Sequence, residues 1–385
     1  FIQNSGLIEF SHMPKWLLHL CSVFNGYILI DHSVEAFMSD AELNVMFSYF
    51  HLGHQIPMYK IIYLTGTVNA TKVYADFCAK HNIDEHRSHR MHVIPYASSR
   101  EIFHAFYSEM FKEGGGGTYH SEPLKDEMVY DDTLVPDRLF LSWNRRFREH
   151  RTSLALLLEK HNLIEKSLIS FAKVDGEMSR RTVLDEIQKI RNANQTAGHI
   201  MLYNNMSLRI DDEVVHRFYR RCPLIIDGET DINKMCEDYG YTQDYYKNTL
   251  VSLVTETNYN VTECTLTEKS FKPMFNKHPF LIVGVPGSMQ GLRDLGFQTF
   301  SEFWSEEYDD IESPSDRFLA IEKVLLQIAS WSPEEILDFK RKVKPVLEHN
   351  FHMFKDPGSL AVTTNMYEHI TNNFNTDYNH WCNPE

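Results

Sequence analysis

The sequence predicts an α/β fold built on parallel sheets and divided into two domains. Three observations predict it. Short apolar runs alternate with helical patterns over residues 27–112, and do so again over 138–283. A polar stretch carrying Gly114–Gly117 and running to Pro136 separates the two alternations. The length, 385 residues, suits two domains of ordinary size. Strands separated by helices imply right-handed βαβ units, and so parallel sheets.

In the first half, Tyr27–Ile30 reads as a strand that ends at Asp31-His32-Ser33. A helix is expected over Asp40–His51, with Asp40 as its N-cap. Tyr59–Leu64 is the next strand and Asn69–Lys80 the next helix, followed by a strand at Met91–Ile94 and a helix at Arg100–Lys112. Residues 113–137 read as a flexible linker or mobile loop. In the second half, Arg138–Trp143 and Ser167–Phe171 read as strands, with helices over Thr152–His161 and Arg181–Arg191. Leu250–Val254 and Pro279–Val283 are further strands, with a helix at Thr267–Asn276 between them, and Asp316 to about His349 is mostly helical. The expected organisation is an N-terminal domain over 1–135, a C-terminal domain over 136–350, and a tail over 351–385 that packs back on the first domain. Two such domains place the ligand site in a cleft, at the carboxyl ends of the strands.

Composition narrows the function. Apolar residues make up 43% and charged residues 24%, the balance of a folded chain. Lys and Arg total 38 against 53 Asp and Glu, a net charge of −15. That excludes a surface basic all over, yet a cleft can still focus a local positive field. No apolar run of about 18 residues is present to span a membrane. Six cysteines are scattered without a C-x-x-C pair, which reads as reduced core residues in a cytoplasmic protein. His81, His86, His89 and His92 match no zinc spacing and read as a solvated loop.

Two constellations can carry chemistry. The first follows the strand at Arg138–Trp143 and comprises Asn144, Arg145, Arg146, Arg148 and Arg151. Guanidinium forks bind phosphate bidentately, and the helix that follows offers free N–H groups and a positive dipole end. A pyrophosphate suits that junction; a solvated basic loop is the competing reading. The second joins Thr255-Glu256-Thr257 at a strand end to Thr267-Glu268-Lys269-Ser270 at a helix start. There Thr267 is placed to cap, Glu268 to accept from vicinal hydroxyls such as those of a ribose, and Lys269 to meet a phosphate. The competing reading is a plain helix start in which Glu268 complements the dipole.

The run Glu268-Lys-Ser-Phe-Lys-Pro-Met-Phe-Asn-Lys-His-Pro-Phe-Leu-Ile-Val-Gly284 resembles the donor motif of fucosyltransferase-like and exostosin-like GT-B glycosyltransferases. The longer stretch through Leu292–Phe300 to Glu307-Tyr308-Asp309 is similar to phage and marine viral glycosyltransferases. Some of those are associated with TET-type dioxygenases and glycosylate hydroxymethylated cytosine in DNA. The resemblance covers about residues 138–320. It implies two Rossmann-like α/β domains facing across a cleft. It further implies that Glu268 binds the ribose or donor sugar, that Lys269 with Arg145, Arg146 and Arg148 holds the pyrophosphate, and that Glu256 contacts sugar or nucleotide. Such enzymes need no metal and no cofactor beyond the donor, here a UDP-sugar or GDP-sugar. The acceptor-side base is expected at Asp31 or His32, with Glu35 as the third candidate. The acceptor is expected to be 5-hydroxymethylcytosine in DNA; a glycan or small-molecule acceptor, or a non-catalytic nucleotide-sugar-binding protein, are the alternatives.

Overall fold

A computed structural model describes residues 2–3, 13–23, 26–33, 37–84, 86–96, 128–144, 148–171, 210, 212–222, 224–226, 243–355 and 363–373. The helices expected at Arg100–Lys112 and Arg181–Arg191, the Gly114–Gly117 run, and Glu35, Arg145 and Arg146 lie outside the described residues. Among the described residues the fold is mixed α/β with two parallel sheets, compatible with a Rossmann-like arrangement. Contacts divide the chain into two units, one of residues 1–102, 262–267 and 356–385, the other of 103–261 and 268–355. Among the described residues no helix is long and apolar enough to cross a membrane.

The first unit carries β1 (Ile2–Gln3), α1 (Lys15–Val23), β2 (Ile28–His32), α2 (Asp40–Phe47), β3 (Ile61–Thr65), α3 (Ala70–Lys80) and β4 (His92–Pro95). Its four strands are parallel and lie in chain order, β1-β2-β3-β4. Right-handed crossovers between successive neighbours put every connection on one face. Accordingly Leu18, Leu43, Met46 and Phe77 from the three helices all pack with Ile28, Ile30, Ile61 and Tyr63. Strand residues alternate between faces, so Ile62, Leu64 and Ile94 form the back of the sheet. Leu29 joins them there, as do Met366 and Ile370 of the helical stretch 363–373. Residues 262–267 also return to this unit: Thr265 bridges Thr67 just after β3, and the Asn69 side chain bonds Thr262 O and Cys264 N.

Two expected boundaries need correction here. The N-cap of α2 is Ser39 rather than Asp40. The Ser39 hydroxyl accepts from Glu42 N–H at 3.4 Å, and Glu42 Oε2 accepts from Ser39 N–H at 2.8 Å, a reciprocal box. Asp40 lies in the first turn and pairs with Lys80. The strand read as ending at Ile30 runs on through Asp31 and His32, because both pair in register with Leu64 and Thr65 of β3.

The second unit carries β5 (Arg138–Ser142), α4 (Glu149–Lys160), β6 (Ser167–Ile169), α5 (Asp212–Arg221), α6 (Gln243–Lys247) and β7 (Thr249–Thr255). After these come α7 (Glu268–Phe275), β8 (Phe280–Val283), α8 (Ser288–Asp294), α9 (Pro314–Ala329) and α10 (Pro333–Lys355). The parallel strands run β6-β5-β7-β8. All seven residues of β7 are buried, as befits a strand covered on both faces. The order matters for function. From β5 the chain goes to β6 on one side, whereas from β7 it goes to β8 on the other. Adjacent parallel strands whose connections diverge leave a crevice at their carboxyl ends, where α/β sheets bind ligands.

Helix α4 begins three residues before the expected Thr152. Its first turn, His150, Arg151, Thr152 and Ser153, is polar yet buried, so hydropathy marks only the later turns. The tail read as one helical region is two helices, broken at Ser330–Ser332; Ser313 caps α9 ahead of Pro314.

Candidate functional site

The ends of β5 and β7 are tied side by side. Asn144, two residues past β5, is buried; its Oδ1 accepts from Thr255 Oγ1 at 2.8 Å and its Nδ2 donates to Ser142 Oγ at 3.0 Å. Its main-chain N–H donates to Ser170 Oγ at 2.9 Å. The first turn of α4 is fastened to the same place. His150 Nε2 donates to Glu256 O at 2.8 Å, and Arg151 Nη2 reaches Thr255 O at 3.4 Å. The first turn of α7 is fastened through Glu256. Ser270 Oγ donates to Glu256 Oε1 at 2.6 Å, and Thr257 N–H donates to Oε2 at 3.0 Å. Glu256 is only 2% exposed, so its carboxylate works inside the protein, as a clasp between β7 and α7.

These bonds gather five predicted residues at one sheet end: Asn144, Arg148, Glu256 and the pair Glu268–Lys269. Arg148 is the N-cap of α4, is exposed, and makes no side-chain cap bond. The initial N–H groups of a helix have no partner within it. Lys269 Nζ lies 2.6 Å from Glu268 Oε1. Burial pushes the Glu268 carboxyl up, but Lys269 and Lys272 together hold it below the usual carboxylate range. A part-exposed carboxylate that stays charged, beside a lysine and a helix start, can accept hydroxyl protons while the lysine meets an anion. Thr267 belongs to the segment that returns to the first unit.

Behind the site, Gly284 after β8 lets the backbone approach closely. A Cβ there would stand 3.0 Å from Ser288 Oγ and 3.4 Å from Glu256 Cβ. The N-terminus of α8, which follows Pro286 and Gly287, is already filled by a carboxylate. Asp309 Oδ1 and Oδ2 accept from Met289 and Gln290 N–H, each at 2.9 Å. Burial holds the Asp309 carboxyl above its ordinary value.

In the first unit, Asp31 and His32 occupy opposite faces at the end of β2. His32 is buried on the helix side, its Nδ1 2.6 Å from Tyr63 OH. Asp31 shares the back-face register; its Oδ1 accepts from Ser33 N–H at 3.1 Å and Ser33 Oγ at 2.6 Å, leaving Oδ2 outside these bonds. Among the described residues, no group of three or more His, Cys, Asp or Glu is arranged to hold a metal ion. A cleft of about 670 Å³ between Phe303, Trp331 and Phe339 contains none of the candidate residues.

Sequence reasoning gave no bonding task to the fasteners Ser142, His150, Ser170, Thr255 and Ser270, although Thr255 and Ser270 belong to the second constellation. Each is a small polar or imidazole side chain at an element end, and only the pairing of distant positions reveals its task. Comparison of the chain with protein-family models, with curated proteins and with solved structures gives no match.

Proposed function

We propose that this chain is a metal-independent glycosyltransferase of the GT-B kind that works in the cytoplasm. It moves a sugar from a nucleotide-sugar, a UDP-sugar in preference to a GDP-sugar, onto an acceptor hydroxyl. The acceptor we propose is 5-hydroxymethylcytosine in DNA. One observation carries the reading. Arg148 and the Glu268–Lys269 pair open two helices whose first turns are bonded to the ends of β5 and β7, at the point where the sheet's connections diverge. A nucleotide diphosphate fits that chemistry: hydroxyls for Glu268, phosphates for Arg148, Lys269 and the α4 N–H groups.

In the proposed transfer, a base removes the acceptor hydroxyl proton, and the oxygen bonds to the anomeric carbon as that carbon's bond to the diphosphate breaks. The leaving diphosphate carries away the electron pair, and its charge is met by the arginine, the lysine and the helix N–H groups. Asp31 is the first choice as base, since its Oδ2 is not engaged; His32, buried against Tyr63, is the alternative.

Calorimetric titration with UDP and GDP tests the donor site. Removing a charge-assisted partner costs roughly 1.5–3 kcal/mol, about ten- to a hundred-fold in affinity. Glu268→Ala and Arg148→Ala should each show that loss while remaining folded, and unchanged affinity in both places the donor elsewhere. Mass analysis of products from hydroxymethylated DNA and from simple glycans then separates the acceptor classes.

A further inference from the structure

Among the described residues, the two faces of the first sheet are covered unequally. One face takes α1, α2 and α3; the other takes the short helix 363–373 through Met366 and Ile370. A helix of that length does not hold itself together in water, so it persists through what it touches. Beyond the apolar contacts, what it touches is an imidazole. His92, the first residue of β4, and His369 of the helix stack face to face, their ring centroids 3.8 Å apart and their planes within 8°. His92 Nε2 lies 2.9 Å from Asn365 Oδ1, and His369 Nε2 lies 3.0 Å from Tyr59 O. Carbonyl oxygens only accept, so each Nε2 carries the proton and each Nδ1 is the basic nitrogen.

The surroundings offer little to a charged ring. Ile62 and Leu64 face the pair's side of β3, and Ile94 that of β4. Tyr27 meets His369 edge-on at 6.4 Å and donates to Ile370 O. Asn373 Nδ2 donates to His369 O at 2.8 Å and lies 3.4 Å from each ring nitrogen of His369. Among the described residues, the carboxylates on these elements are Asp31, whose Oδ1 accepts from Ser33, and Glu368, which is exposed.

We propose that the stacked His92–His369 pair is a proton-sensitive latch, holding helix 363–373 on the first sheet at neutral pH and releasing it on mild acidification. Neutral imidazoles stack. Two imidazolium ions at that spacing repel each other across an apolar surface. Burial lowers both rings below the ordinary histidine value, and His92 lowers His369 further. A released ring titrates near 6.5, so below about that pH the undocked helix binds more protons than the docked one, and docking weakens as pH falls. The latch stands independently of the glycosyltransferase reading.

Hydrogen–deuterium exchange of the full chain between pH 7.5 and 5.0, normalised for intrinsic rates, tests it. Residues 363–373 should lose protection as the pH falls while β2 and β3 keep theirs. In His92→Phe, which keeps a flat ring and removes one proton site, release should move to lower pH. Helix protection that stays constant, that falls in step with the strands, or that falls identically in His92→Phe overturns the proposal. Should that variant fail to fold, imidazole NMR on the wild-type chain decides: both rings must titrate below a free histidine, and two rings titrating as free histidines refute the latch.

Discussion

At the residue scale, the central fact is that Glu256 is spent on the protein's own framework. Ser270 Oγ, itself buried, has Glu256 as its acceptor, and that bond joins the first turn of α7 to β7. Ser270→Ala should lower stability by roughly 1–3 kcal/mol, the usual cost of losing a hydrogen bond to a buried charge, read as a shifted urea midpoint. It should also weaken nucleotide binding, because Glu268 and Lys269 occupy the turn that the bond holds. A variant as stable as the parent but equally weak in binding would mean that Ser270 touches the ligand instead. Asp31 and His32 separate in the same manner. Asp31→Asn should cut transfer by about 10²–10⁴-fold with nucleotide binding intact. His32→Gln should act mainly on stability, through the buried contact to Tyr63. Full transfer activity in Asp31→Asn removes Asp31 from the base role.

At the element scale, two glycines have left-handed backbones that differ in what surrounds them. Gly287, the residue before α8, has φ +79° with nothing within 4 Å of an added Cβ; Gly296 has φ +89° and would bring a Cβ to 2.8 Å from Met353 Cε. An L-residue in that region costs roughly 1–2 kcal/mol on its own. Gly287→Ala should therefore cost about that much, and Gly296→Ala more, since Met353 of α10 must also shift. Comparing the two thermal midpoints checks it, and equal losses would mean that Met353 yields freely. Strands β2 to β8 were legible in the sequence as short, largely apolar runs, and β5, β7 and β8 lie within a residue or two of their expected places; β1, Ile2–Gln3, is too short to leave such a run and was not read. The start of α4 was not, because its first turn is polar and buried: periodicity tracks hydropathy, while this turn is held by hydrogen bonds to Thr255 and Glu256. The N-cap of α2 was misplaced because Ser39 and Asp40 are both good caps, and only the reach of Glu42 back to Ser39 decides between them. Asn144, Arg148, Glu256, Glu268 and Lys269 were legible as residue types at element ends; their gathering at one sheet end depends on a strand order that no local pattern carries.

At the scale of the whole molecule, acid should be the sensitive axis, and two histidines say why. His150 and His278 are both buried, and both are held neutral. Burial is the main cause in each, taking His150 down to about 3 and His278 to about 4, with Arg151 adding to the first. His278 is fixed by Ser252 Oγ at 2.9 Å and Thr249 O at 2.9 Å, His150 by Glu256 O. A histidine whose folded pKa lies below its unfolded value contributes stability that is present above about pH 6.5 and is lost as the pH falls toward the folded value. Shifts of this size amount to a few kcal/mol each. Glu306 and Asp309 act with the opposite sign. Burial raises both carboxyls, so their contribution is greatest in acid and is lost as pH rises through their folded values. The histidines are the larger shifts and span the window from 6.5 down to about 4, so the net slope there should follow them. Urea midpoints taken at pH 7.5, 6.5, 5.5 and 4.5 should be level over the first two and fall over the last two. His278→Gln should start lower at pH 7.5 and fall less steeply, because one of the groups that must take up a proton on unfolding is gone. An equally steep fall in that variant would assign the acid limb to carboxylate pairs such as Glu322 with Lys160, whose stabilisation is also lost as they protonate.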